Sequence, residues 1–86
     1  MTHILIVEDE PRIAAFLEKG LRSHGFVTTT VLNGTEAVPL ALQGHFDLMI
    51  LDLGLPGKDG LVVLEEIRGQ GAQFPVLILL SGAEKS

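Results

Sequence analysis

Two runs of branched aliphatic residues end on carboxylates, and this pairing constrains the fold more than any other feature of the chain. Ile4-Leu5-Ile6-Val7 is followed by Glu8-Asp9, and Leu48-Met49-Ile50-Leu51 is followed by Asp52. A run with no polar member predicts a strand buried on both faces, the condition of a parallel sheet covered by helices. Segments of helical period lie between such runs. Ile13, Leu17 and Leu21 recur every four residues, with Ala14 and Phe16 widening the stripe, which predicts a helix from Pro11 to about His24. Gly25 is placed to end it, with Phe26 folding back on it.

Residues 26–31 carry Thr28-Thr29-Thr30, a more polar strand that belongs at an edge. A short helix over 35–43 follows, with Thr35 as its N-cap. Pro39 inside it is expected to remove a hydrogen bond and to distort or shorten the helix. Residues 47–51 form a strand, 52–60 a Gly- and Pro-rich loop, 61–68 a helix with Leu61, Leu64 and Ile67 on one face, and 76–80 a fourth strand. The order β-α-β-α-β-α-β implies right-handed crossovers in one α/β domain over residues 1–86.

Composition excludes several classes of function. With 47% hydrophobic residues and a mean hydropathy of +0.41, the chain is too apolar for a disordered segment. Yet no apolar run approaches the roughly 20 residues that span a bilayer. The net charge is −5 and the six basic residues are scattered, so no stripe exists to neutralise nucleic-acid phosphates. With no cysteine, disulfides and thiolate metal sites are excluded. No basic and apolar leader follows Met1, so the expected location is the cytoplasm.

Parallel sheets place ligands at the carboxyl ends of their strands. If the first and third strands are neighbours, as in the flavodoxin-like order, Glu8, Asp9 and Asp52 converge there. Such a cluster repels itself when empty, and Mg²⁺, which takes oxygen ligands, would relieve it. Asp9 and Asp52 can supply carboxylates, the loop at Gly54 can turn a carbonyl toward the metal, and Glu8 can hold a metal-bound water. The competing reading makes Glu8 and Asp9 helix caps and Asp52 an Asx-turn residue.

Residues 4–10 and the segment Asp47-Leu48-Met49-Ile50-Leu51-Asp52-Leu53-Gly54-Leu55-Pro56-Gly57-Lys58-Asp59-Gly60 together resemble the receiver domains of bacterial two-component response regulators. The wording is closest to those preceding a winged-helix DNA-binding domain. The likeness extends from residue 2 to about residue 80. It implies a flavodoxin-like three-layer fold with sheet order 2-1-3-4 over these residues. It also implies a phosphoacceptor at Asp52, charged by a partner histidine kinase or phosphotransfer protein, with Mg²⁺ held by Glu8, Asp9, Asp52 and the Gly54 carbonyl. The domain is then a signalling module rather than an enzyme.

Two departures from the family qualify this. The Thr or Ser expected at the end of the fourth strand falls on Leu80, and Ser81 follows one residue later as a substitute switch hydroxyl or an ordinary turn serine. A further helix, a lysine-bearing fifth strand and a last helix have no counterpart within the 86 residues, and Lys85 is misplaced to substitute for that lysine. The fourth strand should then be an open edge, and association or domain swapping into a dimer would cover it. The alternative function is accordingly a non-phosphorylated interaction fragment. A dehalogenase-like phosphatase would need an acid at position 54, which is Gly, and a nucleotide-binding domain would need a glycine-rich loop after the first strand. The remaining expectations are structural: His3, His24 and His45 as surface or loop residues, Phe16, Phe26, Phe46 and Phe74 as core anchors, and Lys58 and Asp59 as solvated loop charges.

Overall fold

The computed structural model describes residues 1–80. Four strands alternate with three helices: β1 His3–Val7, α1 Pro11–Ser23, β2 Val27–Val31, α2 Gly34–Gln43, β3 Leu48–Asp52, α3 Gly60–Gly69 and β4 Val76–Leu79. All pairings are parallel and the order is β2-β1-β3-β4. The chain thus reverses its direction of progress between β1 and β3, the crevice where open α/β sheets bind ligands.

The apolar runs form central strands because they have helices to bury against on both sides. Leu5, Val7, Met49 and Leu51 face α2 and α3 and pack with Ala37, Val38, Ala41, Val63 and Ile67. Ile4, Ile6 and Ile50 face the other way, where Leu17, Leu21 and Phe26 cover them. Each fully buried aliphatic side chain contributes roughly 1.5–3 kcal/mol, so β1 and β3 anchor the site at their ends. β2 lies at an edge, as its threonines imply. Thr30 Oγ1 donates to Glu18 at 2.6 Å, and Arg22 Nε donates to Thr28 Oγ1 at 2.8 Å.

Several local expectations are corrected. Asn33, not Thr35, caps α2, its side chain accepting from the Glu36 N–H at 2.8 Å. The helix runs unbroken through Pro39 to Gln43, because Pro39 sits on the exposed side while Ala37, Val38 and Ala41 hold the other to the sheet. Of the expected face of α3, Ile67 is buried and Leu64 half-buried, but Leu61 is 52% exposed and Val63 takes its place in the core. Phe16 is 77% exposed, since α1 turns Ala14, Leu17 and Leu21 inward. His3 belongs to β1, with its Nε2 2.7 Å from Thr29 Oγ1 and its ring centroid 4.5 Å from that of Phe46. At the far side of the sheet, Leu77 of β4 is 55% exposed.

Candidate metal centre

The hydrogen-bond register brings the carboxylates together. Val7, the last residue of β1, pairs with Leu51, so Glu8 and Asp52 leave adjacent strands at the same level. Glu8, Asp9 and Asp52 each offer a carboxylate oxygen, and these atoms all lie within 4.8 Å of one another. Glu8 and Asp52 are fully buried, whereas Asp9 is half-buried. A hard divalent cation with oxygen preference fits this donor set.

The capping reading is corrected for the acid pair. Glu10 is the N-cap of α1, its Oε1 accepting from the Arg12 N–H at 3.2 Å, and Pro11 fills the first helical turn. Glu8 instead reaches forward only to the cap residue, its Oε2 accepting from the Glu10 N–H at 2.8 Å. The turn reading of Asp52 holds alongside the cluster: Gly54 N–H donates to Asp52 Oδ1 at 3.2 Å. That bond turns the start of the β3–α3 loop back on Asp52.

The rest of the loop is anchored by contacts that the residue pattern does not reveal. Lys58 Nζ donates to both carboxylate oxygens of Glu66 at 2.8 and 2.7 Å, and Asp59 caps α3 by accepting from the Leu61 N–H at 3.1 Å. Asp59 is exposed, as expected of a solvated charge, while Lys58 is half-buried in its ion pair. Their partners lie on α3, and the spacing from Lys58 to Glu66 becomes a contact only once the loop has turned. Gly60 N–H donates to the Leu53 carbonyl at 3.2 Å and Gly34 N–H to the Pro56 carbonyl at 3.2 Å. The Asn33-Gly34 pair was a visible signal for the second contact, as a turn next to the first helical residue. Leu80, at the expected switch position, is 76% exposed, and Ser81 lies outside the described residues. Among the described residues, no helix is long and apolar enough to cross a membrane.

Comparison with known proteins places the chain among signalling domains. The family model for the response regulator receiver domain matches residues 4–86. The uncharacterized transcriptional regulatory protein YkoG of Bacillus subtilis is 46% identical over 77 residues, covering 90% of this chain and 34% of that protein. The chain thus spans about a third of the length of this relative. Among solved structures, the receiver domain of the Pseudomonas aeruginosa sensor histidine kinase PA1611, with a magnesium ion coordinated in its active-site cleft, superposes with a TM-score of 0.90. That match has 36% identity and covers 95% of this chain and 69% of that one. The Thermotoga maritima response regulator TrrA, in its complex with the histidine kinase ThkA, gives a TM-score of 0.86 and 38% identity over 94% of this chain and 70% of that one.

Proposed function

The chain belongs to the response regulator receiver family, and from that premise we propose that it is a cytoplasmic signalling domain in which Asp52 accepts a phosphoryl group from the phosphohistidine of a partner kinase or phosphotransfer protein. The observation that carries the reading is the convergence of Glu8, Asp9 and Asp52 within 4.8 Å at the carboxyl ends of adjacent strands. Asp9, Asp52 and the Gly54 carbonyl would hold Mg²⁺, with Glu8 holding a metal-bound water. The ion, when bound, neutralises charge on the transferring group.

The residues of this chain do the rest. A carboxylate is a ready nucleophile at neutral pH, so Asp52 needs no base beside it. One Asp52 oxygen forms a bond to phosphorus as the phosphorus–nitrogen bond of the phosphohistidine breaks, and the electron pair returns to the leaving imidazole. Gly54 N–H, donating to Oδ1, holds one oxygen in the turn and so presents the carboxylate in one orientation. Relatives are named as transcriptional regulators, which supports a place for this chain in signalling to transcription.

Incubation of the folded chain with Mg²⁺ and a small phosphodonor tests this. Intact mass should show one hydroxylamine-labile phosphoryl adduct, absent in Asp52→Ala. A folded sample that gives no adduct at saturating donor refutes the assignment. The second reading, a non-phosphorylated module that dimerises or swaps strands, has the exposed Leu77 at the β4 edge in its favour. It gains if the adduct is absent and the chain is dimeric.

A further inference from the structure

The loop that carries Gly54 is held by a second element, and that hold depends on a side chain that is missing. Gly34 is the first residue of α2 and is buried. A Cβ built on it would lie 2.1 Å from the carbonyl oxygen of Lys58 and 2.8 Å from the Lys58 Cβ. The oxygen belongs to the backbone and cannot swing aside as the end of a side chain would. Gly34 N–H also donates to the Pro56 carbonyl at 3.2 Å. A neighbouring contact runs the other way, against a side chain of α2. Gly57, with φ +79°, lies so near α2 that a Cβ there would meet Thr35 Oγ1 at 2.6 Å. Two glycines from separate segments therefore interlock, and the middle of the β3–α3 loop is seated on the first turn of α2.

The position of that seat gives it a consequence at the site. The loop begins at Asp52, passes through Gly54, reaches α2 at Pro56 to Lys58, and is tied to α3 by the Lys58–Glu66 ion pair. Only Leu55 separates Gly54 from Pro56. An added Cβ on Gly34 must displace the Lys58 carbonyl by more than 1 Å to reach ordinary contact at 3.4 Å. Lys58 is itself bound to Glu66, so the strain runs back along the chain toward Gly54.

We propose that Gly34 is a positioning residue for the metal and phosphoryl site: its bare Cα lets the β3–α3 loop seat on α2 and so sets Gly54 against Asp52. The inference rests on the phosphoacceptor reading above. A glycine needed only for packing would affect stability and leave metal affinity unchanged in whatever protein remains folded. A positioning glycine alters affinity in the folded protein, because partners that orient metal ligands typically contribute about 10- to 100-fold in affinity.

The test is an isothermal titration of Mg²⁺ into the full chain and into Gly34→Ala, with urea unfolding of both in EDTA to establish the folded fraction. Gly34→Ala should bind Mg²⁺ about tenfold or more weakly, and the Gly54 amide resonance should move in the metal-free protein. A folded Gly34→Ala with wild-type affinity and an unmoved Gly54 resonance overturns the proposal. Ile4→Val, buried near the start of β1 on the opposite face of the sheet, against α1, serves as the stability control and should keep wild-type affinity. A comparable weakening there would mean that affinity follows global stability, and would equally overturn it. If Gly34→Ala does not fold, the decision passes to Thr35→Ala, an exposed position facing Gly57. Its affinity should fall about threefold, less than the loss of a whole orienting partner, and an unchanged value overturns the proposal. Wild-type protein that is folded and binds no Mg²⁺ removes the phosphoacceptor reading and this inference with it, an outcome distinct from a wild type that binds and variants that bind equally well.

Discussion

Replacing Asp52 with Asn should stabilise the metal-free protein and abolish its response to Mg²⁺. The magnitude follows from the cluster geometry. Oxygens of Glu8, Asp9 and Asp52 lie within 4.8 Å of one another, and two unit charges at that distance repel by about 3.5 kcal/mol at an effective dielectric near 20. Asp52 faces two such neighbours. Solvent around the half-buried Asp9 screens part of this, and local hydrogen bonds offset more, which leaves a net gain of about 1–3 kcal/mol when the charge is removed. Asn keeps the shape and an oxygen for the Gly54 N–H, so no packing is lost. For a domain of this size each kcal/mol moves Tm by about 4–8 °C, and Asp52→Asn should therefore melt at least about 4 °C above wild type in EDTA. Mg²⁺ at a hundredfold its Kd stabilises the wild type by about 2.7 kcal/mol and should close or reverse the gap, while the variant shifts little. Thermal melts of both proteins, with EDTA and with a Mg²⁺ series, measure this. A lower Tm for Asp52→Asn in EDTA, or equal Mg²⁺ shifts in the two proteins, would refute the reasoning.

Other substitutions probe separate links. Asp9→Ala should weaken Mg²⁺ binding more than Glu8→Ala, because Asp9 is assigned a direct ligand and Glu8 a water-mediated one; calorimetric titrations with equal or reversed effects contradict that assignment. Pro39→Ala should stabilise the domain by about 1 kcal/mol or more in urea unfolding, since it restores an N–H to the interior of α2 and removes the ring from the preceding turn. Ile67→Ala should cost about 2–5 kcal/mol through a cavity beside Val63 and Met49, whereas Phe16→Ser, at a 77% exposed position, should stay within about 0.5 kcal/mol. A large loss at Phe16 would show that its ring is buried in solution.

What the residue pattern disclosed, and what it did not, follows from the range of the interactions involved. Strands β1 and β3 were legible because burial on both faces forces uniform apolarity, and the polar residue that ends each run marks the sheet edge where ligands bind. Asp52 and the pair Glu8-Asp9 were visible for that reason, although their convergence needed the strand order as well. Phe16 and Leu61 were misassigned by the helical period alone. The stripe of α1 is satisfied by Ala14, Leu17 and Leu21, and that of α3 by Val63 and Ile67, so an extra apolar residue beside a sufficient face goes to solvent. The α2 cap was displaced by two residues because Asn33 and Thr35 are both competent acceptors, and only the seat of Gly34 under the loop selects Asn33. The Lys58–Glu66 pair and the Gly34–Lys58 approach join segments whose relation is created by the fold, and nothing local encodes them.

The two sheet edges differ in a way that bears on the acceptor. At β2 the threonines are engaged by Glu18, Arg22 and His3, so an incoming strand would have to displace polar contacts already made there. Among the described residues β4 carries no charged residue from Val76 to Leu79 and exposes Leu77. It is also the strand that closes the site: Leu79 pairs with Asp52, and its carbonyl accepts from the Leu53 N–H at 3.4 Å, a long bond. Leu79 therefore touches both Asp52 and the residue after it, so a change in β4 reaches the end of β3. An Asp52 adduct assay and a measure of association, made together on a Leu77 substitution, test whether pairing at the β4 edge and order in the loop after Asp52 are linked.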